Sequence, residues 1–197
     1  MKRKPLYVLL VLTVLALACQ NERTRLPNIV LIVADDLGWK DLAFMGSHYF
    51  DTPGLDKLAG EGMVFTQAYA AAANCAPSRA CLMTGRYATE HGIYTVGSSE
   101  RGDPRTRRII PAQNTTTLAE DYFTLAEALN QAGYVCMSIG KWHLGQDPCS
   151  HLMDYNVGGS TWGHPKSYFA HYIQPDLEAP EGTYLSDHLT REALEFV

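Results

Sequence analysis

A continuous apolar run at 28–34, Asn-Ile-Val-Leu-Ile-Val-Ala, constrains the fold of this chain more than any other feature. An unbroken run rich in β-branched residues is typical of a strand covered on both faces in a parallel sheet. Further strand-like runs at 63–69 and 134–139 alternate with helix-forming segments. Because parallel strands are joined by right-handed crossovers, this order predicts an α/β fold with a mixed, mostly parallel sheet and helices on both faces.

The helix-forming segments are recognised by proline near their starts, glycine at their ends, or a capping box. They are predicted to run from Pro53 to Gly60 and Gly62, from about Pro77 to Gly85, from the Thr124–Glu127 capping box to Ala132, and over 184–196.

The first 19 residues are predicted to be an export signal rather than part of the fold. Three basic residues, 2–4, precede an apolar run at 6–18, which is shorter than the ~20 residues that span a membrane. Cys19 ends this run in a context that resembles a bacterial lipoprotein processing site, so its lipidation is expected; ordinary cleavage nearby is the alternative. Either route exports the protein to the periplasm or cell surface, with membrane contact only through a lipid anchor. Residues 20–27 then form a linker.

Composition excludes some partners and leaves the cysteines open. The chain has 16 Lys plus Arg against 21 Asp plus Glu, and such a balance is unlike the concentrated basic surface of a nucleic-acid binder. Four cysteines remain if Cys19 is modified, and an exported protein can form disulfides. Sequence does not define the pairing; Cys136 with Cys149 is one hypothesis.

The segment Cys75-Ala-Pro-Ser-Arg79, followed by Thr84-Gly85-Arg86, carries the strongest functional signal. Cys75 is predicted to lie at or just before a helix N-terminus, where backbone N–H groups favour an anion. The two segments match the C-x-P-S-R and T-G-R signature of the type I sulfatases, and the chain resembles that family. Stretches at 27–39, 132–134 and 140–145 resemble the same family in the same order.

This resemblance implies an alkaline-phosphatase-like fold and a modified nucleophile. A maturation enzyme would oxidise Cys75 to formylglycine, whose hydrate attacks the sulfur of a sulfate ester. Arg79, one helical turn later, would stabilise the hydrate and its developing charge by charge-assisted hydrogen bonds.

Asp35 and Asp36 are the predicted metal ligands, with Cys75 contributing its formylglycine oxygen. Two carboxylates at the end of a buried strand are costly without a cation, and hard oxygen ligands suit Ca²⁺ or Mg²⁺. An Asp-Asp pair alone is more often a turn or a helix cap. The resemblance to the sulfatase family favours the metal site, and calcium as its occupant.

Lys141 and His143 lie in Gly-Lys-Trp-His-Leu-Gly, which resembles a segment of the same family. The resemblance implies that Lys141 neutralises sulfate charge, and that His143 hydrogen-bonds the formylglycine hydroxyl and assists sulfate release. His164, in a Gly-His-Pro loop, is a third candidate for substrate binding. Export favours a sulfated carbohydrate as substrate.

Residues 28–197 are thus expected to be the N-terminal part of a sulfatase catalytic domain, incomplete at its C-terminal end and inactive alone. In the family, a further acidic metal ligand and the acid that protonates the leaving group come later in the chain. Two rival hypotheses remain. One is a phosphonate or phosphate ester hydrolase of the same superfamily, and the other is a non-catalytic protein that binds a sulfated ligand and keeps the Cys75 thiol.

Overall fold

The computed structural model describes residues 26–197, so the predicted signal and Cys19 lie outside the described residues. The chain divides into two units, of which the first ends at Val33 and the second comprises 34–197. Among the described residues, none of the helices has the length and apolar character needed to cross a membrane.

The second unit contains five α-helices and two strands, connected by long irregular segments and three short 3-10 helices at Ala43–Met45, Pro104–Thr106 and Pro148–His151. In chain order the elements are α1 (Pro53–Glu61), α2 (Cys75–Thr84), α3 (Ala88–His91), α4 (Leu125–Gln131), β1 (Met137–Ile139), β2 (Tyr155–Val157) and α5 (Leu185–Phe196).

The helix ends follow the signals in the sequence. Gly85 ends α2 with φ 66°, a left-handed conformation that glycine adopts at little cost. The Thr124 hydroxyl accepts a hydrogen bond from the Glu127 N–H at 3.3 Å and caps α4. The four predicted helices are therefore confirmed, with small shifts at their ends.

The sheet within the described residues consists of β1 and β2, which pair in parallel with Met137 opposite Tyr155. Gly140 continues the pairing, because its N–H donates to the Val157 carbonyl oxygen at 2.8 Å. The predicted strand at 134–139 is present but begins only at Met137. The result is an α/β arrangement with a small parallel sheet.

Two strand predictions are wrong for the described residues. The runs at 28–34 and 63–69 form no strand, and Ile32 is 75% and Phe65 73% exposed. A strand requires a neighbouring strand to take its backbone hydrogen bonds, and within residues 26–197 β1 and β2 pair only with each other. The hypothesis of a Cys136–Cys149 disulfide is also wrong, because both residues are free thiols.

One hydrophobic cluster connects α2 with the segment after β1. It contains Ala76 and Ala80 of α2, Trp142 and Leu144, together with Ile93 and Leu118. Ala76 and Ala80 are four residues apart on α2, which places them on one face of the helix. Trp142 and Leu144 lie on either side of His143 in an irregular segment. Arg79, Lys141 and His143, each next to a cluster residue in the sequence, are only partly buried and can face away from the cluster.

Candidate active site

An ion-pair cluster joins three parts of the second unit that are distant in sequence. Arg79 Nη2 donates to Asp35 Oδ1 at 3.0 Å, and Lys141 Nζ pairs with Asp35 Oδ2. Arg79 Nη1 also donates to the Lys141 carbonyl oxygen. The three side chains are only 14–21% exposed, so they form a partly desolvated site.

This cluster carries excess positive charge, because two cations share one carboxylate. Burial by itself raises the pKa of Asp35, but hydrogen bonds from Lys141 and Arg79 and their charges outweigh it, so the pKa lies below its ordinary value. Arg79 Nε is buried and has no hydrogen-bond partner within residues 26–197. Excess charge and an unused donor together favour an anionic ligand.

His143 lies in the same electrostatic environment. Burial lowers its pKa, and the charges of Lys141 and Arg79 lower it further. Its Nδ1 is buried without a hydrogen-bond partner in the described part of the chain. A neutral imidazole with an unused nitrogen can exchange a proton with a bound ligand.

Cys75 is the first residue of α2 and is half-buried. Its position at a helix N-terminus confirms the prediction and provides backbone N–H groups for an anion. Arg79 follows four residues later, so both side chains occupy the same face of the helix. The preceding residue, Asn74, donates from its side-chain amide to Thr95 Oγ1 at 2.9 Å and ties the start of α2 to a loop.

Asp36 differs from Asp35 in its surroundings. It has φ 57°, is exposed, and its carboxylate has no protein partner within residues 26–197. No group of three or more His, Cys, Asp or Glu side chains that could hold a metal ion occurs in the described residues. Asp35 and Asp36 thus offer ligands of the kind that Ca²⁺ and Mg²⁺ take, but fewer than the six or so that such ions need.

His164 is exposed, and its charge contributes to the lowered pKa of His143. The two predicted substrate-binding histidines are therefore close enough to interact electrostatically. The backbone of His143 is held by a residue that sequence reasoning missed, since its N–H donates to the Ser160 carbonyl oxygen at 2.8 Å. The only sequence signal for this contact is the glycine-rich stretch at 158–163.

The site thus has a cysteine at a helix N-terminus, an arginine one turn later, a lysine and a histidine beside it, and two adjacent carboxylates. Residues 27–197 match the model of the Sulfatase family. The chain belongs to this family.

Individual sulfatases match over much of this chain. N-acetylgalactosamine-6-sulfatase of the dog is 39% identical over 147 residues, 74% of this chain and 27% of that protein. Arylsulfatase G of the rat is 44% identical over 130 residues, 66% of this chain and 22% of that protein. The crystal structure of Ps i-CgsB in complex with k-i-k-neocarrahexaose superposes with a TM-score of 0.64 and 33% identity, over 86% of this chain and 41% of that one. The chain therefore spans roughly a quarter of the length of these curated relatives.

Replacement of Asp35 by Asn is expected to destabilise the protein, because Arg79 and Lys141 then lie together without a counter-charge. Charge-assisted hydrogen bonds contribute about 1.5–3 kcal/mol, and the loss should fall toward the lower end because water reaches the cluster. Urea unfolding of the two proteins measures the difference in free energy of unfolding.

Asp103→Asn is the matched control, since Asp103 pairs with Arg105 at 2.7 Å on an exposed loop where solvent screens the charges. Equal destabilisation by the two substitutions would contradict the special role of Asp35.

Proposed function

We propose that this chain carries the nucleophile and the sulfate-binding cations of a sulfuric ester hydrolase that acts on a sulfated glycan. The observation that supports this most directly is that Arg79 and Lys141 both pair with Asp35, and that Arg79 lies on the α-helix that starts at Cys75. The sulfatase signature contains Cys75 as the nucleophile and Arg79, and the sulfatase-like segment at 140–145 contains Lys141 as the sulfate-binding cation.

The glycan is favoured by what the relatives act on or bind. N-acetylgalactosamine-6-sulfatase is named for a sulfated amino sugar, and Ps i-CgsB has been crystallised with a neocarrahexaose, an oligosaccharide. An export signal at 1–19, with lipidation of Cys19, would place the enzyme outside the cytoplasm, where it has access to polymeric glycans. We extend the proposal to the full alkaline-phosphatase-like sheet, of which β1 and β2 would be a part.

The proposed reaction starts with oxidation of the Cys75 side chain to an aldehyde by a maturation enzyme, and hydration of that aldehyde to a gem-diol. One hydroxyl oxygen loses its proton and attacks sulfur, and the bond between sulfur and the glycan oxygen breaks as the alcohol leaves. The second hydroxyl then loses its proton, the aldehyde re-forms and sulfate departs. A serine ester lacks this second hydroxyl and its internal route for release.

Arg79 and Lys141 would stabilise the charge of the sulfate oxygens in this scheme. Because water is partly excluded from the cluster, each charge-assisted hydrogen bond there acts more strongly than in bulk solvent. His143, kept neutral near pH 7 by its lowered pKa, would accept the proton of the gem-diol hydroxyl during sulfate release.

A divalent metal, calcium by family resemblance, would be held by Asp35, Asp36 and the formylglycine oxygen of Cys75, together with further ligands that the described residues do not supply. When bound, such an ion lowers the pKa of an oxygen nucleophile and polarises an ester oxygen. The unpartnered carboxylate of Asp36 fits this role, since an ion would supply the partner it lacks.

Cys75→Ala is expected to reduce sulfate release from a sulfated oligosaccharide to about a thousandth of the wild-type rate or less, because it removes the nucleophile. The assay uses the complete gene product from its native host and measures free sulfate. Cys81→Ala, six residues later on the same helix, is the matched control and should retain activity.

Wild-type activity in Cys75→Ala would contradict the proposed nucleophile. A preference for an aryl phosphonate over the paired aryl sulfate would instead support the phosphonate hydrolase, and binding without turnover would support the non-catalytic hypothesis.

Calcium is expected to raise the melting temperature of the wild-type protein and not that of Asp36→Asn. Without calcium the two proteins should melt alike, because the Asp36 carboxylate has no protein partner within the described residues. Thermal unfolding with calcium and with a chelator measures the difference. Asp121→Asn, at another exposed position, should keep the calcium response, and a full response in Asp36→Asn would rule out Asp36 as a ligand.

A further inference from the structure

The segment 158–164, which follows β2 and is called here the glycine loop, has a well-defined shape. The side-chain amide of Asn156 accepts from the Gly159 N–H at 2.8 Å and donates to the Gly159 carbonyl oxygen at 2.9 Å. The indole N–H of Trp162 donates to the Gly158 carbonyl oxygen at 2.8 Å, and this side chain is buried. These bonds tie the start of the loop to Asn156 and to the buried side chain of Trp162, so the loop can act as a rigid surface.

The imidazole of His143 lies against this surface at Gly163. A Cβ atom placed on Gly163 would be 2.8 Å from His143 Cε1, 3.1 Å from Nε2 and 3.3 Å from Nδ1. Contacts under about 3 Å do not occur between such atoms, so the ring occupies the space that a side chain at 163 would fill. Gly163 is not among the glycines with positive φ, so this position requires glycine for space and not for its backbone conformation.

His143 needs such a support, because little else orients it. Its φ of 67° is a left-handed conformation that costs a non-glycine residue about 1–3 kcal/mol and persists only where surrounding contacts impose it. The hydrogen bond to Ser160 holds its backbone. The ring, however, has a buried Nδ1 without a hydrogen-bond partner in the described residues, so packing must set its plane.

We propose that Gly163 is a positioning residue for His143: by lacking a side chain it admits the imidazole and fixes the plane of the ring. The catalytic consequence rests on the proposed function, whereas the contact itself does not. Gly163 touches no reacting atom and acts through His143.

The test is Gly163→Ala in the complete gene product, with ¹⁵N and ¹³C signals of labelled histidine side chains as the first measurement. The His143 signals, identified by their loss in His143→Gln, should move. The signals of the buried His91 and His151 should stay in place and report an intact fold. Gly54→Ala is the matched control, since nothing lies within 4 Å of a Cβ at that position, and it should move none of them.

The second measurement is turnover of a sulfate ester. Displacement of a catalytic group by about 1 Å can cost up to about 100-fold, so Gly163→Ala should lower kcat by about 10-fold or more and leave KM unchanged. Gly54→Ala should match the wild type in both constants.

Unmoved His143 signals in a folded Gly163→Ala protein would overturn the proposal, and so would an unchanged kcat. If Gly163→Ala does not fold, Trp162→Phe is the deciding variant. It loses the hydrogen bond to the Gly158 carbonyl oxygen and loosens the loop, so it should also move the His143 signals. Unmoved His143 signals in folded Trp162→Phe would overturn the proposal. A wild-type protein without sulfatase activity would contradict the proposed function, while the histidine signals would still decide the role of Gly163.

Discussion

The site depends on the packing of α2 against the segment that follows β1. Ala76 and Ala80 on the helix share one buried cluster with Trp142 and Leu144 on this segment. Each of these four residues adjoins a site residue in the sequence, so the packing that buries them also brings Arg79 and Lys141 together.

The charges of the site follow from this packing. Arg79 donates both to Asp35 and to the Lys141 backbone, so a single guanidinium connects three segments. Removing these charges from water costs free energy, and one carboxylate cannot compensate two cations fully. The excess positive charge makes the cluster suited to an anion such as a sulfate group. Burial, and then the same positive charges, lower the pKa of His143 and keep the ring neutral for proton transfer.

Local features of this chain could be predicted from sequence, because they depend on neighbouring residues. The caps at Gly85 and Thr124, and the start of α2 at Cys75, belong to this group. The placement of Arg79 one helical turn after Cys75 could be predicted because the Cys75–Arg79 signature has a fixed spacing. The pairing of Arg79 and Lys141 with Asp35 could be found only from the structure, because the sequence does not give the distances between these three side chains.

The features that sequence did not predict correctly depend on contacts between residues that are distant in the chain. A strand at 28–34 was expected from its apolar run, but pairing is a property of two segments, and the composition of one does not provide the other. The contact between Gly163 and His143 could not be predicted from sequence either. A glycine in a loop can be required for its backbone conformation or for space, and only the position of the His143 ring in the structure shows that space is the reason here.

The central claim, that Cys75 becomes the formylglycine nucleophile, is tested most directly by mass spectrometry of the protein purified from its native host. Trypsin releases residues 58–79, which contain Cys75, and residues 80–86, which contain Cys81 as an internal reference. The account predicts that the first peptide has lost one H₂S and gained one oxygen, while the second keeps its thiol. An unmodified thiol at Cys75 in folded protein would contradict it.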